Sequence, residues 1–155
     1  MKTFFTIGIC VSILLIFVGT SFIPTASHNN TIFDGELRSL SIGSAVIDVA
    51  IADTQITRGV GLSYLKTLRE DHGLFFVFRD SATHGMWMKN MEFPIDIIWL
   101  DEQLRVVEIH RDVSPDSYPE TFRTKVPTRF ALEVNAGFSL KHDVNIGSVS
   151  VFRVY

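Results

Sequence analysis

Hydrophobic and polar residues alternate in short runs along most of the chain, and this two-residue period is typical of β-strands. The first run covers residues 41–52, where β-branched residues are interrupted by Asp48 at a solvent-facing position. An uninterrupted apolar run of strand length follows at 74–78, and alternating runs lie at 104–113 and 148–155. These runs predict strands, not long helices, as the main elements of the fold.

A short helix is predicted after the first of these strands. Asp53 and Thr54 offer a side-chain cap for a helix over residues 55–68. Gly59 and Gly61 weaken helical structure, so the helix should be short or irregular. Its expected core face consists of leucines at three-residue spacing: Leu62, Leu65 and Leu68.

A β-hairpin is predicted in the middle of the chain. Residues 84–90 and 95–100 form its two strands, and the segment 90–94 forms the loop between them. A tight turn at 101–103 leads into the next strand, and a further strand lies at 129–137. The whole pattern predicts a mainly β fold, α+β at most. The expected architecture is a compact antiparallel sheet or barrel-like domain of about seven strands with one or two short helices.

The apolar excess of the composition is concentrated at the N-terminus. Residues 4–23 carry no charge, and Lys2 precedes them. A basic start is typical of a signal peptide, but this run approaches the ~20 residues that span a bilayer. Cleaved signal and uncleaved anchor both remain open, and either would place the folded part outside the cytoplasm. The predicted organisation is a signal peptide or membrane anchor at 1–26, a linker at 27–40 and one domain at 41–155.

Charge and cysteine content exclude several functional classes. The chain has 14 basic and 17 acidic residues and no basic stripe, so nucleic-acid binding is not expected. The single cysteine, Cys10, lies in the apolar N-terminal run, so the domain has no disulfide and no thiolate chemistry. The chain shows no nucleotide-binding motif, and no cofactor is predicted. No metal site is predicted either, because no ligand spacing relates the five histidines, His28, His72, His84, His110 and His142.

An unusual cluster of polar residues lies in the predicted hairpin. Trp87, Lys89 and Asn90 stand close together, and Asp96 lies inside the apolar strand that follows. A buried carboxylate needs a partner, because burying it alone costs several kcal/mol. Lys89 and Arg58 are the plausible partners. One interpretation is an ion pair that fixes the hairpin, and the other is a binding pocket with Trp87 as its wall.

Glu133 is a second carboxylate inside an apolar strand, between Leu132 and Val134. If Glu133 and Asp96 faced one cleft, they could serve as the acid and base of glycoside hydrolysis. Acidic residues within strands often simply point to water, so this enzyme is the alternative and not the leading hypothesis.

A long loop at residues 114–127 contains three prolines and the apolar residues Tyr118, Phe122 and Val126. Loops longer than about 12–15 residues are uncommon in compact domains and often act as lids or binding loops. Prolines and apolar side chains both indicate a loop packed in one shape. We expect this loop either to border Trp87 or to cap one end of the sheet.

Several short motifs together resemble one protein family. In chain order they are Thr54…Arg58, Gly61-Leu62, Gly73-Leu-Phe-Phe-Val-Phe78, Trp87-Met-Lys-Asn90, Pro94-Ile-Asp-Ile97, Asp101, Leu132-Glu133 and Ala136-Gly137. Over residues 42–155 the chain is similar to the bacterial and archaeal family known as domain of unknown function 192. The resemblance implies a compact, mostly β fold, often preceded by an export signal, and no established reaction. Three positions depart from the family pattern, namely Ser63, Met91 and Ser148.

The leading hypothesis is a non-catalytic binding or accessory domain outside the cytoplasm. Its candidate ligand-binding residues are Arg58, Trp87, Lys89, Asn90, Asp96 and Glu133. An aromatic wall beside amide and carboxylate groups suits a cell-envelope glycan or a peptide. Membrane contact is expected through the N-terminal segment only. The alternative is an envelope polysaccharide hydrolase that uses the carboxylates of Asp96 and Glu133.

Overall fold

The structure, a computed structural model, describes residues 35–153. The strands in this part of the chain are β1 (Arg38–Ile42), β2 (Ala45–Ala52), β3 (His72–Ala82), β4 (Gly85–Met86), β5 (Ile95–Leu100), β6 (Val106–Val113), β7 (Phe122–Arg123), β8 (Thr128–Asn135) and β9 (Val151–Phe152). The helices are α1 (Gln55–Val60) and α2 (Phe138–Lys141), with one 3-10 turn at Pro115–Ser117. The prediction of a mainly β fold with one or two short helices is confirmed.

Seven of the strands form one mixed sheet in the order β6-β5-β8-β3-β2-β1-β9. Neighbouring strands are antiparallel, as predicted, except for β2 and β3, which are parallel. A parallel pair needs a crossover connection between the strands. Residues 53–71, which include α1, supply that connection, and we call them the crossover segment.

The C-terminal segment closes the sheet into a barrel. β9 pairs with β1 at one edge, and Val149, just before β9, bridges Arg105, just before the opposite edge strand β6. The backbone N–H of Val106 donates to the carbonyl of Ser148 at 2.8 Å, and Ser150 N–H donates to Leu104 at 2.9 Å. Closure removes the unpaired edges that an open sheet would expose. The barrel-like interpretation of the pattern is therefore confirmed.

Two hydrophobic cores lie on the two faces of this sheet. The inner core draws side chains from strands all around the barrel and is sealed by Phe138 of α2 and by Val144. The outer core lies on the convex face, under the crossover segment and the residues that follow β4. Successive residues of a strand point to opposite faces, so neighbouring positions of β3, β5 and β8 contribute alternately to the two cores.

The crossover segment begins with the predicted helix, but this helix is shorter than predicted and ends at Val60. Thr54 caps α1, accepting from the Thr57 N–H at 3.0 Å, while the Thr57 hydroxyl accepts from the Thr54 N–H at 3.0 Å. Gly61 ends the helix with a φ of 55°, a value that favours glycine. The three leucines predicted as a helical core face are buried in the outer core, but they lie beyond the helix end: Leu62, Leu65 and Leu68.

The predicted hairpin joining Trp87 to Asp96 is wrong. β4 contains only Gly85 and Met86, and it pairs with β7 in a separate two-stranded sheet instead of with β5. Beyond β4 the chain turns at Asn90, which has a φ of 57°. The pairing partner of β4 comes from a distant part of the sequence, so local pattern could not identify it.

The same pairing places the loop 114–127 beside the segment that carries Trp87, as predicted. Met86 pairs with Phe122, and the Phe122 side chain packs against the outer core. Tyr118 and Val126 remain exposed, so only one of the three apolar loop residues is packed.

The described structure reaches into the segment predicted as a linker. β1 begins at Arg38, inside the range 27–40. No helix within residues 35–153 is long and apolar enough to cross a bilayer. The predicted signal or anchor at 1–26 lies outside the described residues.

Candidate functional site

A cavity of about 230 Å³ lies between the crossover segment and the convex face of the sheet. We call it the outer cavity. It is lined by Gln55, Arg58, Gly59, Val60, Gly61, Ser63, Phe76, Phe78, Gly85, Met86, Trp87 and Glu133. Three of the six residues predicted to bind a ligand, Arg58, Trp87 and Glu133, are thus brought together here.

Glu133 forms the floor of the outer cavity on strand β8. It lies opposite Leu74 of β3 and Ile97 of β5, both of which belong to the outer core, so its side chain points to the same convex face. Only 5% of Glu133 is exposed. Its Oε2 atom is buried and has no hydrogen-bond partner among the described residues.

Burial in these surroundings raises the pKa of Glu133 from 4.5 to about 8. The cause is desolvation, which disfavours the charged form of a carboxyl group. At neutral pH Glu133 is therefore mostly protonated, and a protonated carboxyl can both donate and accept a hydrogen bond. Strongly raised pKa values in cavities are common at functional sites.

Gly61 brings the backbone of the crossover segment close to this carboxyl group. A Cβ atom built at Gly61 would lie 3.8 Å from Oε2 of Glu133 and 3.6 Å from the ring of Phe76. The positive φ of Gly61, and not a steric clash, makes other residues unfavourable there. The sequence marks Gly61 as a residue that weakens a helix and as part of the Gly61-Leu62 motif, and neither feature connects it with the site.

Arg58 lies at the rim of the cavity and is held by backbone carbonyls. Its Nη1 donates to the carbonyl of Val77 at 2.8 Å and to that of Asp53. The guanidinium carbon lies 6.0 Å from the ring centroid of Phe78. No cation in the described part of the chain forms an ion pair with Glu133.

Aromatic rings form much of the cavity wall. Phe76 and Phe78 stack on each other with their centroids 6.3 Å apart, and His84 stacks on Phe78 at 3.8 Å. Trp87 is 53% exposed, whereas Trp99, the other tryptophan, is wholly buried beneath Phe78. Phe76 and Phe78 were predicted only as strand residues, because an uninterrupted apolar run indicates a strand but not the cavity in front of it.

Asp96 does not belong to this site. It lies on strand β5 opposite Val134, and it is fully buried on the inner face of the barrel. Its Oδ1 accepts from the N–H groups of Asp112 at 2.9 Å and Gly137 at 3.2 Å. Its Oδ2 accepts from the N–H of Ser139 at 2.9 Å and from the hydroxyl of Ser139 at 2.7 Å.

The burial of Asp96 was therefore predicted correctly, and its pairing with Lys89 or Arg58 was wrong. Four hydrogen bonds satisfy the carboxylate without a cation. The donors come from residues 112–139, which are distant in sequence, so only the folded barrel reveals them.

Lys89 and Asn90 lie outside the cavity lining. Both are exposed, and their contacts hold the crossover segment in place. The carbonyl of Lys89 accepts from the hydroxyl of Ser63 at 2.8 Å, and Nδ2 of Asn90 donates to the hydroxyl of Tyr64 at 2.6 Å. Their role in the structure is therefore to position the wall of the site.

The two carboxylates proposed for glycoside hydrolysis point to opposite faces of the sheet. Glu133 pairs with Ile97, whereas Asp96 pairs with Val134, and this one-residue offset reverses the side-chain direction. An acid and a base must flank one bond, with both carboxyl groups in one cleft. The barrel wall separates these two, so they do not form that pair.

Two larger cavities lie elsewhere in the described structure. One, of about 410 Å³, lies beside α2, where Lys141 and Glu70 form an ion pair at 2.9 Å. The other, of about 440 Å³, lies at one end of the barrel and is lined by Phe75, Phe130 and Phe152 among others. Neither is lined by a buried side-chain polar atom that lacks a partner. The outer cavity is distinguished by Glu133.

Comparisons with known proteins agree with this fold. The family model DUF192, described as "Uncharacterized ACR", matches residues 38–152. A crystal structure from Sinorhizobium meliloti 1021, provisionally described as a transcription regulator, is similar with a TM-score of 0.72 and 25% identity, covering 76% of this chain and 94% of that one. A protein of unknown function from Novosphingobium aromaticivorans has a TM-score of 0.71 and 22% identity, covering 74% and 84%. No curated protein shows significant similarity to this chain.

Proposed function

The chain belongs to the DUF192 family, and we propose that it is a non-catalytic binding domain, located outside the cytoplasm, whose ligand enters the outer cavity. The family description names no reaction, so the proposal rests on the chemistry of the cavity. Its candidate ligands are a fragment of a cell-envelope glycan and a peptide.

The observation that carries this proposal is the buried Oε2 of Glu133, which has no partner among the described residues and lines a cavity. Leaving a buried polar atom without a hydrogen bond costs about 1–3 kcal/mol. Such groups are uncommon in native proteins and call for an explanation. A ligand that supplied the missing partner would recover this free energy on binding.

The surroundings of Glu133 suit a ligand with both polar and apolar surface. Trp87 and the rings of Phe76 and Phe78 offer flat apolar contacts, which sugar rings and peptide side chains both use. Arg58 supplies positive charge at the rim. A cavity of about 230 Å³ has room for one small group, so it would hold a terminal residue and not a whole polymer.

No catalytic role is proposed, because the specific enzyme hypothesis required Asp96 and Glu133 in one cleft. A role in transcription, as provisionally described for the similar Sinorhizobium protein, is not proposed either. DNA-binding domains carry a concentrated positive charge, whereas this chain has a net charge of −3.

Tryptophan fluorescence of the purified full-length protein tests the binding role. A ligand that enters the cavity should shift the emission of the half-exposed Trp87, whereas the emission of the buried Trp99 should stay unchanged. Glycan fragments and short peptides should be titrated against the wild type, a Trp87→Ala variant and a Tyr118→Ala control. Loss of the response in the first variant alone supports the proposal. If no glycan or peptide changes the emission, the binding role is refuted.

The extracytoplasmic location rests on the uncharged run at residues 4–23 after Lys2. It can be tested with alkaline phosphatase fused after Tyr155, because that enzyme needs disulfides and matures only in an oxidising compartment. The fusion should be active, and a matched fusion that lacks residues 1–26 should be inactive. Equal activity of the two fusions would contradict export by this segment.

A further inference from the structure

We propose, building on the binding role above, that the group entering the outer cavity is a positively charged amine that pairs with the carboxylate of Glu133. The ligand would be an amine-bearing part of a larger molecule, such as an amino sugar, a lysine side chain or a chain N-terminus. The cavity would hold the ammonium group and the first few carbon atoms attached to it.

The first support is the lack of a counter-ion for Glu133. Buried carboxylates are normally paired or accept several hydrogen bonds, as Asp96 does. Arg58 is the only other charged residue in the lining of the outer cavity, and its guanidinium is turned to the carbonyls of Asp53 and Val77. The cavity therefore contains an acidic group that has no counter-ion among the described residues, so a ligand cation could pair with it.

The second support is the aromatic wall. Phe76, Phe78 and Trp87 line the cavity that contains Glu133, and the faces of aromatic rings attract cations. Phe78 already has the guanidinium of Arg58 at 6.0 Å from its centroid. A carboxylate in a cavity lined by rings favours an ammonium group over a hydroxyl, because the ring faces attract a cation more strongly than a neutral group.

The third support is charge. An anionic ligand would meet the acidic side chain of Glu133 in a site where the charged carboxylate is already disfavoured. An ammonium group offsets that penalty, since it supplies the opposite charge at short range. Binding is then coupled to the release of one proton. The ammonium ion enters the cavity, Glu133 releases its proton to the solvent, and an ion pair forms. No other bond forms or breaks.

This proton release predicts how affinity depends on pH. Because burial raises the pKa of Glu133 to about 8, the carboxyl must lose a proton at neutral pH before it can pair with the amine. Affinity for an amine should therefore rise as pH increases towards 8 and then level off, until the amine itself loses its proton near pH 10. A ligand that accepts a hydrogen bond from protonated Glu133 would show the opposite trend.

The effect of Glu133 on the pH dependence of binding has to be distinguished from the effects of other charged or ionisable groups near the cavity. In the outer-cavity lining, α1 contributes Arg58, whereas the lining residues of β3 and β4 carry no titratable group. Leu74 and Ile97 flank Glu133 within the sheet. His84 stacks on Phe78 at 3.8 Å, so a His84→Gln variant serves as the control for any contribution of this imidazole ring.

The test uses three small probes with the same four-carbon tail, namely butylammonium, butan-1-ol and butyrate. Their affinities for the full-length protein are measured by NMR titration at about pH 6 and about pH 8.5. Butylammonium should bind about tenfold more tightly than butan-1-ol at the higher pH, and its affinity should rise roughly 10- to 100-fold between the two conditions. In a Glu133→Gln variant the preference and the pH trend should both disappear, whereas His84→Gln should keep them.

The outcomes separate the two proposals. If a glycan or peptide binds at Trp87 but butan-1-ol or butyrate matches butylammonium, the binding role stands and the amine is refuted. If affinity for butylammonium falls with rising pH, the amine is likewise refuted. If no probe, glycan or peptide perturbs the cavity, both proposals fail. The wild-type pH trend needs no variant, so the amine can be tested even if Glu133→Gln does not fold.

Discussion

Asp96 and Glu133 are both carboxylates inside apolar strands, and they lie on adjacent strands one register position apart. Asp96 faces the interior of the barrel and accepts four hydrogen bonds, whereas Glu133 faces the outer cavity and one of its oxygen atoms has no partner in the described residues. The same sequence pattern has thus produced a structural group on one side of the sheet and a candidate binding group on the other.

The difference lies in the donors that surround each carboxylate. The residues around Asp96 turn their N–H groups and the Ser139 hydroxyl towards it, and they join β6 and α2 to β5. Leu74 and Ile97 flank Glu133 within the sheet, and no described residue gives its Oε2 a hydrogen bond, so burial penalises its charged form. A buried carboxylate therefore does not by itself indicate a functional site. Its hydrogen-bond partners decide whether it is a structural group or is available to a ligand.

The largest effect should come from removing the satisfied carboxylate. Asp96→Ala leaves the donors of Asp112, Gly137 and Ser139 buried without an acceptor, and we expect it to lower the free energy of unfolding by roughly 3–5 kcal/mol. Chemical denaturation measures the change, with Glu120→Ala, an exposed carboxylate, as the control. Equal stability of these two variants would show that the hydrogen bonds around Asp96 contribute little.

The second effect concerns Glu133. Whereas Asp96→Ala should lower stability, Glu133→Gln should gain stability relative to the wild type as pH rises. Folding raises its pKa from 4.5 to about 8, so between these values the unfolded chain releases a proton that the folded protein keeps. Stability therefore falls as pH rises through this window, and it levels off above pH 8. Glu133→Gln lacks this titration, and its stability relative to the wild type should increase by roughly 2–4 kcal/mol between about pH 4.5 and pH 8. Denaturation curves at a series of pH values check this, and a flat difference would contradict the buried, unpartnered carboxyl.

A smaller effect is expected where the long loop supports the outer face. Phe122 is partly buried against the outer core and pairs with Met86, next to Trp87. Phe122→Ala should lower the free energy of unfolding by roughly 1–2 kcal/mol through lost apolar contact. Tyr118→Ala, an exposed position in the same loop, should have almost no effect on the denaturation midpoint. If both variants behave alike, the loop does not support the site.

The smallest stability effect should be at Trp87. Its ring is half-exposed at the mouth of the cavity, so Trp87→Ala should change the free energy of unfolding by less than about 0.5 kcal/mol. The same variant should weaken ligand binding, which distinguishes a binding residue from a packing residue. Trp99→Phe is the matched comparison, because that ring is fully buried and its truncation should destabilise the protein. Large destabilisation by Trp87→Ala would indicate a structural role instead.

Local sequence pattern predicted the β-rich architecture, the Thr54 cap and the burial of Asp96. Each of these depends on residues close together in the chain, such as the alternation that places Leu132 and Val134 on one face of β8. The pairing of β4 with β7 and the parallel pairing of β2 with β3 could not be predicted in this way. They join segments whose contacts are fixed by the closed sheet and not by neighbouring residues.

The candidate site could be predicted only in part, because its residues also come from distant segments of the chain. Arg58, Trp87 and Glu133 were identified by their residue type, but their convergence depends on the crossover segment, which passes over the face that Glu133 shares with Phe76 and Phe78. Lys89 and Asn90 were assigned to the site through a hairpin that does not form. Glu133 lies opposite Ile97, the residue next to Asp96, so the two carboxylates are offset by one position in the register. This offset turns Asp96 to the inside of the barrel and Glu133 to the outside.

The closure of the barrel by its last strand has a consequence for folding during synthesis. Arg153 donates to the hydroxyl of Ser41, a contact between residues 112 positions apart, and β9 completes the sheet beside β1. Contacts this distant in sequence slow folding, because the intervening chain must be ordered before they form. A ribosome-bound chain from which β9 has not yet emerged cannot close the barrel. The finished fold therefore forms only once β9 has left the ribosome.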